Sequence, residues 1–248
     1  MLRHTLDGPD ENGLSRLHCA TIEQDAERCE SLLRAGADPE VKAGSVAVRP
    51  LHLSVLAGDH STGCLRSLLR AGAKPNARDS RGTTALHAAA ALNLPHTASL
   101  LLEYGASPRL RGARGVRPLQ LAGSGNAAET AQVLLSAGAE VDATDARGRT
   151  ASHAAAANDA SEVLELLHES GADLEAHDRK GWTPLHHAVR ACRCTDPLCV
   201  RLSSLTLASI CSSCILVTSV ETDSSVAIVV TGLVLLDALH RFSSTLST

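Results

Sequence analysis

The stretch Gly181-Trp-Thr-Pro-Leu-His-His-Ala-Val189 decides the fold, because its pattern recurs along the chain. Close copies are Gly82-Thr-Thr-Ala-Leu-His-Ala-Ala-Ala90 and Gly148-Arg-Thr-Ala-Ser-His-Ala-Ala-Ala156, and weaker copies begin at Gly13, Val48 and Gly115. At spacings of 33 to 35 residues, the histidine position of the pattern holds His18, His52, His87, Gln120, His153 and His186. Such a period predicts a solenoid in which each repeat packs only on its neighbours.

The physical chemistry of one unit explains why these residues recur. The hydroxyl of Thr183 is placed to cap a helix, and Pro184 takes the first helical position, where its missing N–H is harmless. A second marker, Leu-Leu followed closely by Gly-Ala, comes after each of the first five copies, as at 166–172. This marker predicts a second helix that ends at a glycine with a positive φ.

Together the two markers resemble the ankyrin repeat, and the resemblance covers residues 12–205. It implies an all-α repeat solenoid, built from helix-turn-helix units with β-hairpin loops, that holds five complete repeats and a partial sixth. The chain is then divided into an N-terminal leader at 1–11, the ankyrin repeat domain at 12–205 and a tail at 206–248. We expect this divergent tail, rich in Ser, Thr, Val and Leu, to be poorly ordered or to cap the stack.

Three departures from the pattern predict local differences between repeats. The second repeat lacks Gly-x-Thr before Pro50, and the fourth has Gln120 for histidine and Gly112 for the turn aspartate. The fifth has Ser152 where other repeats have leucine. Because a polar group at a core position is unfavourable, Ser152 is expected to loosen its contact with the neighbouring repeats.

Composition excludes several classes of function. Of 248 residues 44% are hydrophobic, yet the chain has one Trp, one Tyr and one Phe, so its core must be built from Ala, Leu and Val. The net charge of −4 gives no overall attraction to nucleic acid, and we expect no nucleic-acid partner. The first 12 residues lack an apolar run, so we expect a cytoplasmic protein, with the nucleus also open to it, and its eight cysteines as reduced thiols.

No catalytic or metal-binding constellation is apparent in the sequence. The repeated histidines and the repeated Asp79, Asp145 and Asp178 are interpreted as structural, because chemistry that recurs with the repeat period serves stacking and turns. The spacing Cys211-x-x-Cys214 suits zinc, but the preceding Cys192, Cys194 and Cys199 are irregularly spaced. We therefore expect no enzyme activity, no cofactor and no metal.

The tail leaves three interpretations open. It is an apolar helix that caps the last repeat, a membrane segment, or an alternative C-terminus that did not evolve to pack on the stack. Residues 202–220 are uncharged, but only about half are strongly apolar, and 226–236 are too few to span a bilayer, so membrane attachment is not the favoured interpretation.

In the ankyrin family, partners usually contact the loops between repeats, called fingers, and the first helices on the concave face. The fingers at 78–83, 109–117, 144–149 and 177–182 carry a net charge of +7, against −4 for the whole chain. We expect a protein partner with an acidic or phosphorylated segment, bound to a monomer, with Trp182 as an aromatic anchor. Alternatively, these arginines only keep the surface soluble. The predicted partner-binding residues, here called the finger row, are Arg78, Ser80, Arg81, Arg111, Arg114, Arg147, Arg149, Arg179, Lys180 and Trp182.

Further functions follow from the resemblance. Asn76 is similar in context to the asparagines that are hydroxylated in many ankyrin proteins, although the residue can also merely stabilise its finger. Many ankyrin proteins carry a suppressor-of-cytokine-signalling box and present substrates to a cullin-type ubiquitin ligase, but the tail does not show that pattern. The leading prediction is a scaffold or adaptor, with a ligase substrate receptor and a membrane-tethered ankyrin protein as alternatives.

Overall fold

The computed structural model describes residues 8–9, 13–44, 46–56, 58–59 and 62–191 of the chain. Within these ranges five helix pairs follow one another, and one further helix begins a sixth unit. The α-helices are α1 (Arg16–Ile22), α2 (Ala26–Arg34), α3 (Pro50–Val55), α4 (Gly63–Arg70), α5 (Ala85–Ala91), α6 (Pro95–Glu103), α7 (Pro118–Ser124), α8 (Ala128–Ser136), α9 (Ala151–Ala157), α10 (Ser161–Glu169) and α11 (Pro184–Ala191). No strand forms in this part of the chain, where the expected hairpin pairing is reduced to one antiparallel bridge between Ala43 and Val48.

A threonine and a histidine define the start of the first helix in most repeats. In α5 the hydroxyl of Thr84 lies 2.8 Å from Nδ1 of His87, which also accepts from the N–H of Thr84 at 3.4 Å. The same reciprocal cap occurs at Thr150 and His153, and at Ser15 and His18. The predicted threonine cap is therefore present, and the histidine completes it.

The other ring nitrogen of the same histidine reaches the next repeat. Nε2 of His87 lies 3.1 Å from the carbonyl oxygen of Val116, and Nε2 of His153 lies 3.0 Å from that of Trp182. Because a carbonyl only accepts, Nε2 carries the proton and Nδ1 is free to accept from the cap. The neutral ring therefore fits both partners, and one side chain closes its own helix and binds the next unit.

In the fourth repeat, Gln120 replaces the histidine and makes both the cap bond and the bond to the next repeat. Its Oε1 accepts from the N–H of Arg117 at 2.8 Å, and its Nε2 donates to the carbonyl of Arg149 at 2.5 Å. The second repeat is less complete, because Arg49 stands where a threonine would cap. Nδ1 of His52 consequently has no hydrogen-bond partner among the described residues, although its Nε2 still lies 3.2 Å from the carbonyl oxygen of Thr83.

Each described second helix ends as the Gly-Ala marker predicts. After α6, Gly105 has a φ of 89°, and its N–H donates to Leu102 while that of Ala106 donates to Leu101. This pair of bonds satisfies two carbonyls that the end of a helix leaves open, and only glycine adopts such a φ without strain.

The core is a thin layer of small and aliphatic side chains between the helix layers. The leucines that precede the histidine position, Leu17, Leu51, Leu86 and Leu119, are fully or almost fully buried, as are most alanines of α5 and α9. Ser152 occupies the same position in α9; it is fully buried, and its hydroxyl has no hydrogen-bond partner among the described residues.

Two cysteines contact each other across the first two repeats. Cys29 and Cys64 are fully buried, with their Sγ atoms 3.2 Å apart and no disulfide between them. Burial, together with the hydrogen bond to Cys29, raises the pKa of the Cys64 thiol to about 12. Both behave as small core side chains here rather than as nucleophiles.

Replacing Ser152 by alanine is expected to stabilise the protein. Ser152→Ala removes a buried hydroxyl without a partner and improves helix propensity, so the free energy of unfolding should rise by about 1–2 kcal/mol, measured by urea denaturation followed by circular dichroism. The control is Ser54→Ala, because the equally buried Ser54 hydroxyl donates to the carbonyl of Leu51 at 2.8 Å. Equal stabilisation by both variants would contradict the explanation.

Replacing the bridging histidine should reveal the value of the inter-repeat link. We expect His87→Ala to lower the free energy of unfolding by about 1–3 kcal/mol, because it removes both the helix cap at Thr84 and the inter-repeat bond to the Val116 carbonyl, which keeps only the N–H of Gly112 as a donor among the described residues. His87→Gln should lose clearly less, since Gln120 makes both bonds in its own repeat. Chemical denaturation measures the free energy of unfolding of the two variants. A glutamine variant as unstable as the alanine variant would refute the bridging role.

The buried histidines also predict a pH dependence. Burial is the largest influence on His52, His87 and His153, and it lowers the pKa of each. As the pH falls below about 6.5 the unfolded chain binds protons at these residues while the folded chain does not, so stability present above that pH is lost.

We therefore expect Tm to fall between about pH 7 and pH 5, in a thermal melt followed by circular dichroism. The double variant His87→Gln/His153→Gln should show a flatter dependence over the same range. Aspartates such as Asp145, whose pKa is lowered, act at lower pH, because their contribution is lost only below the unfolded value of about 3.9. An unchanged slope in the double variant would rule out the histidines as its cause.

Candidate functional site: the finger row

An aspartate organises the turn of three of the four fingers. Oδ1 of Asp145 accepts from the N–H groups of Arg147 and Arg149 at 2.7 and 2.9 Å, and its own N–H donates to the carbonyl of Arg149 at 3.0 Å. Asp79 and Asp178 make the corresponding bonds in the third and sixth fingers. The predicted turn role of these aspartates is thus what the geometry shows.

The fourth finger reaches the same shape by another route. Gly112 donates its N–H to the carbonyl of Val116 at 2.7 Å, and a short 3-10 turn spans Ala113–Gly115. A side chain at Gly112 would have its Cβ 2.8 Å from Nε2 of His87, so the ring that links the third repeat to the fourth leaves no room for the usual aspartate.

Backbone hydrogen bonds hold neighbouring fingers side by side. The N–H of Ala146 donates to Arg114 at 3.0 Å, and that of Arg179 donates to Arg147 at 2.9 Å. Gly148, with a φ of 78°, permits this approach, because a Cβ there would lie 3.0 Å from the nitrogen of Arg179. The tips of the fourth, fifth and sixth fingers therefore form one continuous edge.

The structure exposes most of the finger row. Eight of its ten predicted residues are exposed, and Arg149 and Trp182 are partly buried. The exposed members are Arg78, Ser80, Arg81, Arg111, Arg114, Arg147, Arg179 and Lys180.

Ion pairs occupy some of the cations of the fingers, through Asp145, which the net +7 already includes, and through Glu140, which lies outside the counted ranges and lowers the free charge further. Arg149, expected at the surface, is drawn onto Asp145 by two bonds of 2.8 and 3.0 Å. In the fourth finger, Arg117 and Arg109 share Glu140, at 2.9 and 3.9 Å. The remaining arginines of the row have no carboxylate partner within the described ranges, so the charge offered to a partner comes from the exposed tips.

A groove of about 700 Å³ opens between the fifth and sixth fingers, and we call it the finger groove. The cations that line it include Arg147 of the fifth finger, Arg179 and Lys180 of the sixth, and Arg190 of α11. Trp182 forms part of its wall, with Nζ of Lys180 5.6 Å and Cζ of Arg190 5.5 Å from the ring centroid. Trp182 thus contacts two cations through its ring, and its role as an aromatic anchor for a partner stays a prediction.

Asp178 is the acidic residue that lines the groove, and its carboxylate is mostly hidden from solvent. Asp178 is buried, and its carboxylate accepts from the N–H groups of Lys180 and Trp182 and from Nε2 of His187. Burial opposes its ionisation most strongly, but these hydrogen bonds outweigh burial and hold its pKa at about 2. His187 also packs edge-on against the Trp182 ring, with centroids 5.4 Å apart.

Sequence reasoning missed Arg190 and His187 as members of this surface. A signal for them existed, because the two residues are three positions apart on a helix and so share a face. His187 also stands where the third and fifth repeats have alanine. The sequence pattern does not show which finger this helix face contacts, because that contact depends on how the repeats stack.

Asn76 joins two fingers. Its amide nitrogen donates to the carbonyl of Gly105 at 3.0 Å, and its oxygen accepts from the N–H of Ser107 at 2.8 Å. These are bonds of the kind that the structural interpretation of Asn76 predicts, and its hydroxylation stays a prediction.

Several expectations fall wholly or partly outside the described residues. The tail at 206–248, the cysteine pairs around Cys194 and Cys214, and nearly all of the leader lie there. Within the described residues, no group of three or more metal-ligating side chains occurs, and none of the helices is both long and apolar enough to cross a bilayer.

Stacked helix pairs, polar links between them and an exposed edge of fingers define a repeat solenoid built for protein–protein interaction. A family model described as ankyrin repeats, in three copies, matches residues 51–145 and again residues 119–202. These matches cover more than half of the chain, which therefore belongs to the ankyrin repeat family.

Proposed function

We propose that this protein is a non-enzymatic scaffold or adaptor, of five complete repeats and a partial sixth, that binds one protein partner along its fingers and first helices. The partner presents an acidic segment to the finger row. The observation that carries this proposal is the row of exposed cations on adjacent fingers that form no ion pair with any described residue.

Geometry favours an extended ligand over a single point contact. Backbone bonds fix the fourth, fifth and sixth fingers side by side, so Arg114, Arg147 and Arg179 recur once per repeat along one edge. An extended acidic peptide lying across the edge would meet a cation at each finger. Because such contacts are at the rim and solvated, they would set the rate of association and the choice of partner more than the final affinity.

The chemistry of the described residues supports binding rather than catalysis. The buried histidines have both ring nitrogens committed to a cap and a link in the third and fifth repeats. The turn aspartates are committed to backbone N–H groups, and the buried thiol of Cys64 is held protonated. These recurring and buried groups, which could otherwise act as acid, base or nucleophile, are thus engaged in holding the fold together.

Charge reversal on the fingers tests the proposal. Full-length protein and its Arg111→Glu/Arg114→Glu/Arg147→Glu variant would each be used to capture partners from cell lysate, with quantitative mass spectrometry, and to bind a fluorescein-labelled deca-glutamate peptide, with anisotropy. We expect the variant to lose about tenfold or more in affinity for the peptide, and wild-type binding to weaken with added salt.

A matched control reverses Arg34, Arg66 and Arg70, which are also exposed and lie on the second helices α2 and α4, away from the fingers and the first helices. The control should keep both the captured partners and the peptide affinity. Partner capture and peptide binding that survive the finger reversal unchanged would show that these arginines only keep the surface soluble.

A further inference from the structure

We infer that the finger groove is a receptor for a phosphorylated side chain, a phosphoserine or phosphothreonine, within the acidic segment of the partner. This inference rests on the proposed function and assigns one position of the bound segment to one site. Its basis is the convergence on a single groove of four cations from three structural elements, none of which has an ion-pair partner among the described residues.

The cations approach the groove from different directions. Arg147 comes from the fifth finger, Arg179 and Lys180 from the sixth finger, and Arg190 from the last described helix, α11. None of the four forms an ion pair within the described residues. A carboxylate has two oxygens and one charge, so a single arginine can satisfy it. A phosphate monoester has three terminal oxygens and a charge close to −2, and it suits several donors arranged around it.

The groove is also built to keep its charge. Its acidic residue, Asp178, is ionised and adds one negative charge to the lining, but its carboxylate bonds to two backbone N–H groups and His187 and forms no ion pair with the four cations. On the fifth finger, the guanidinium of Arg149 pairs with the carboxylate of Asp145, so this second carboxylate is balanced by a cation of its own. The local field at the groove therefore stays positive although the chain as a whole is acidic.

Trp182 adds order and an apolar wall. Its ring lies within 5.6 Å of both the Lys180 and the Arg190 head groups, which restrains two long side chains near the groove before a ligand arrives. His187 packs on the ring edge and His153 packs on His187, so the wall continues into the stack. The exposed part of the indole can then cover the methylene of a phosphoserine or the methyl of a phosphothreonine. The volume of about 700 Å³ admits such a side chain with its flanking backbone.

The arrangement also distinguishes this groove from the rest of the finger row. The third finger has two exposed arginines, Arg78 and Arg81, but no aromatic residue within 78–83. Arg78 and Arg81 therefore provide an internal control, because substituting them removes as many exposed arginines as substituting Arg147 and Arg179 but at a finger without an aromatic residue.

The test measures full-length protein against three fluorescein-labelled peptides of the frame Gly-Ala-Leu-x-Ala-Gly, by anisotropy at fixed salt. The variable position holds phosphoserine, serine, or a charge-matched Asp-Asp pair. We expect the phosphoserine peptide to bind at least about tenfold more tightly than the Asp-Asp peptide, and inorganic phosphate to compete with it.

Two double variants locate the site. Arg147→Gln/Arg179→Gln should lose about tenfold or more in phosphopeptide affinity, whereas Arg78→Gln/Arg81→Gln should change it less than twofold. Thermal melts of both establish that each variant is folded. Equal binding of the phosphoserine and Asp-Asp peptides, or equal losses in the two double variants, would overturn the phosphate site.

Those failures would leave the general acidic partner standing if deca-glutamate still binds and still depends on the finger arginines. A ten-nucleotide thymidine strand that displaces the phosphopeptide at equal concentration would also overturn the inference, in favour of a backbone phosphodiester ligand.

Discussion

A buried side chain at the histidine position of the first helix donates a hydrogen bond to a carbonyl at the end of the next finger in the first five repeats. His87, Gln120 and His153 make these bonds to Val116, Arg149 and Trp182. A thin core of alanine and leucine has little shape of its own to fix the angle between repeats, so these polar links set the register of the stack. These three donor side chains also cap their own helices. One side chain therefore determines both where a first helix begins and how the next repeat is placed on it.

The proposed binding surface depends on that register. The links terminate at the base of the fingers, where backbone bonds then place Arg147 beside Arg179 and Arg114 beside Ala146. The same stacking brings α11 close enough to the fifth finger for Arg190, Trp182 and Arg147 to line one groove. An unpaired cation on an isolated finger would only be solvated; on a fixed edge, its neighbours make it part of a surface that can recognise a ligand.

The sequence predicted the features that recur with the repeat period, because each reflects local chemistry. The caps at Thr84 and Thr150, the helix ends at glycines such as Gly105 and the turn aspartates are all found. It did not predict the pairing of Arg117 with Glu140, 23 residues away, or the meeting of Arg190 with the fifth finger. Those contacts depend on how each repeat is rotated relative to the next. That rotation cannot be read from the charges along the sequence.

The dual use of Gln120 and the histidines has a consequence for how such a chain evolves. The link needs only a side-chain donor of suitable length at one helical position and a main-chain carbonyl in the next repeat. Every residue type has such a carbonyl, so the accepting position does not require a particular side chain. Whole units can be duplicated or deleted without new complementary pairs, while the residues at the finger tips drift freely. The architecture is thereby kept by one buried side-chain donor and one backbone carbonyl per repeat, while recognition of a partner can change through the exposed side chains of the fingers.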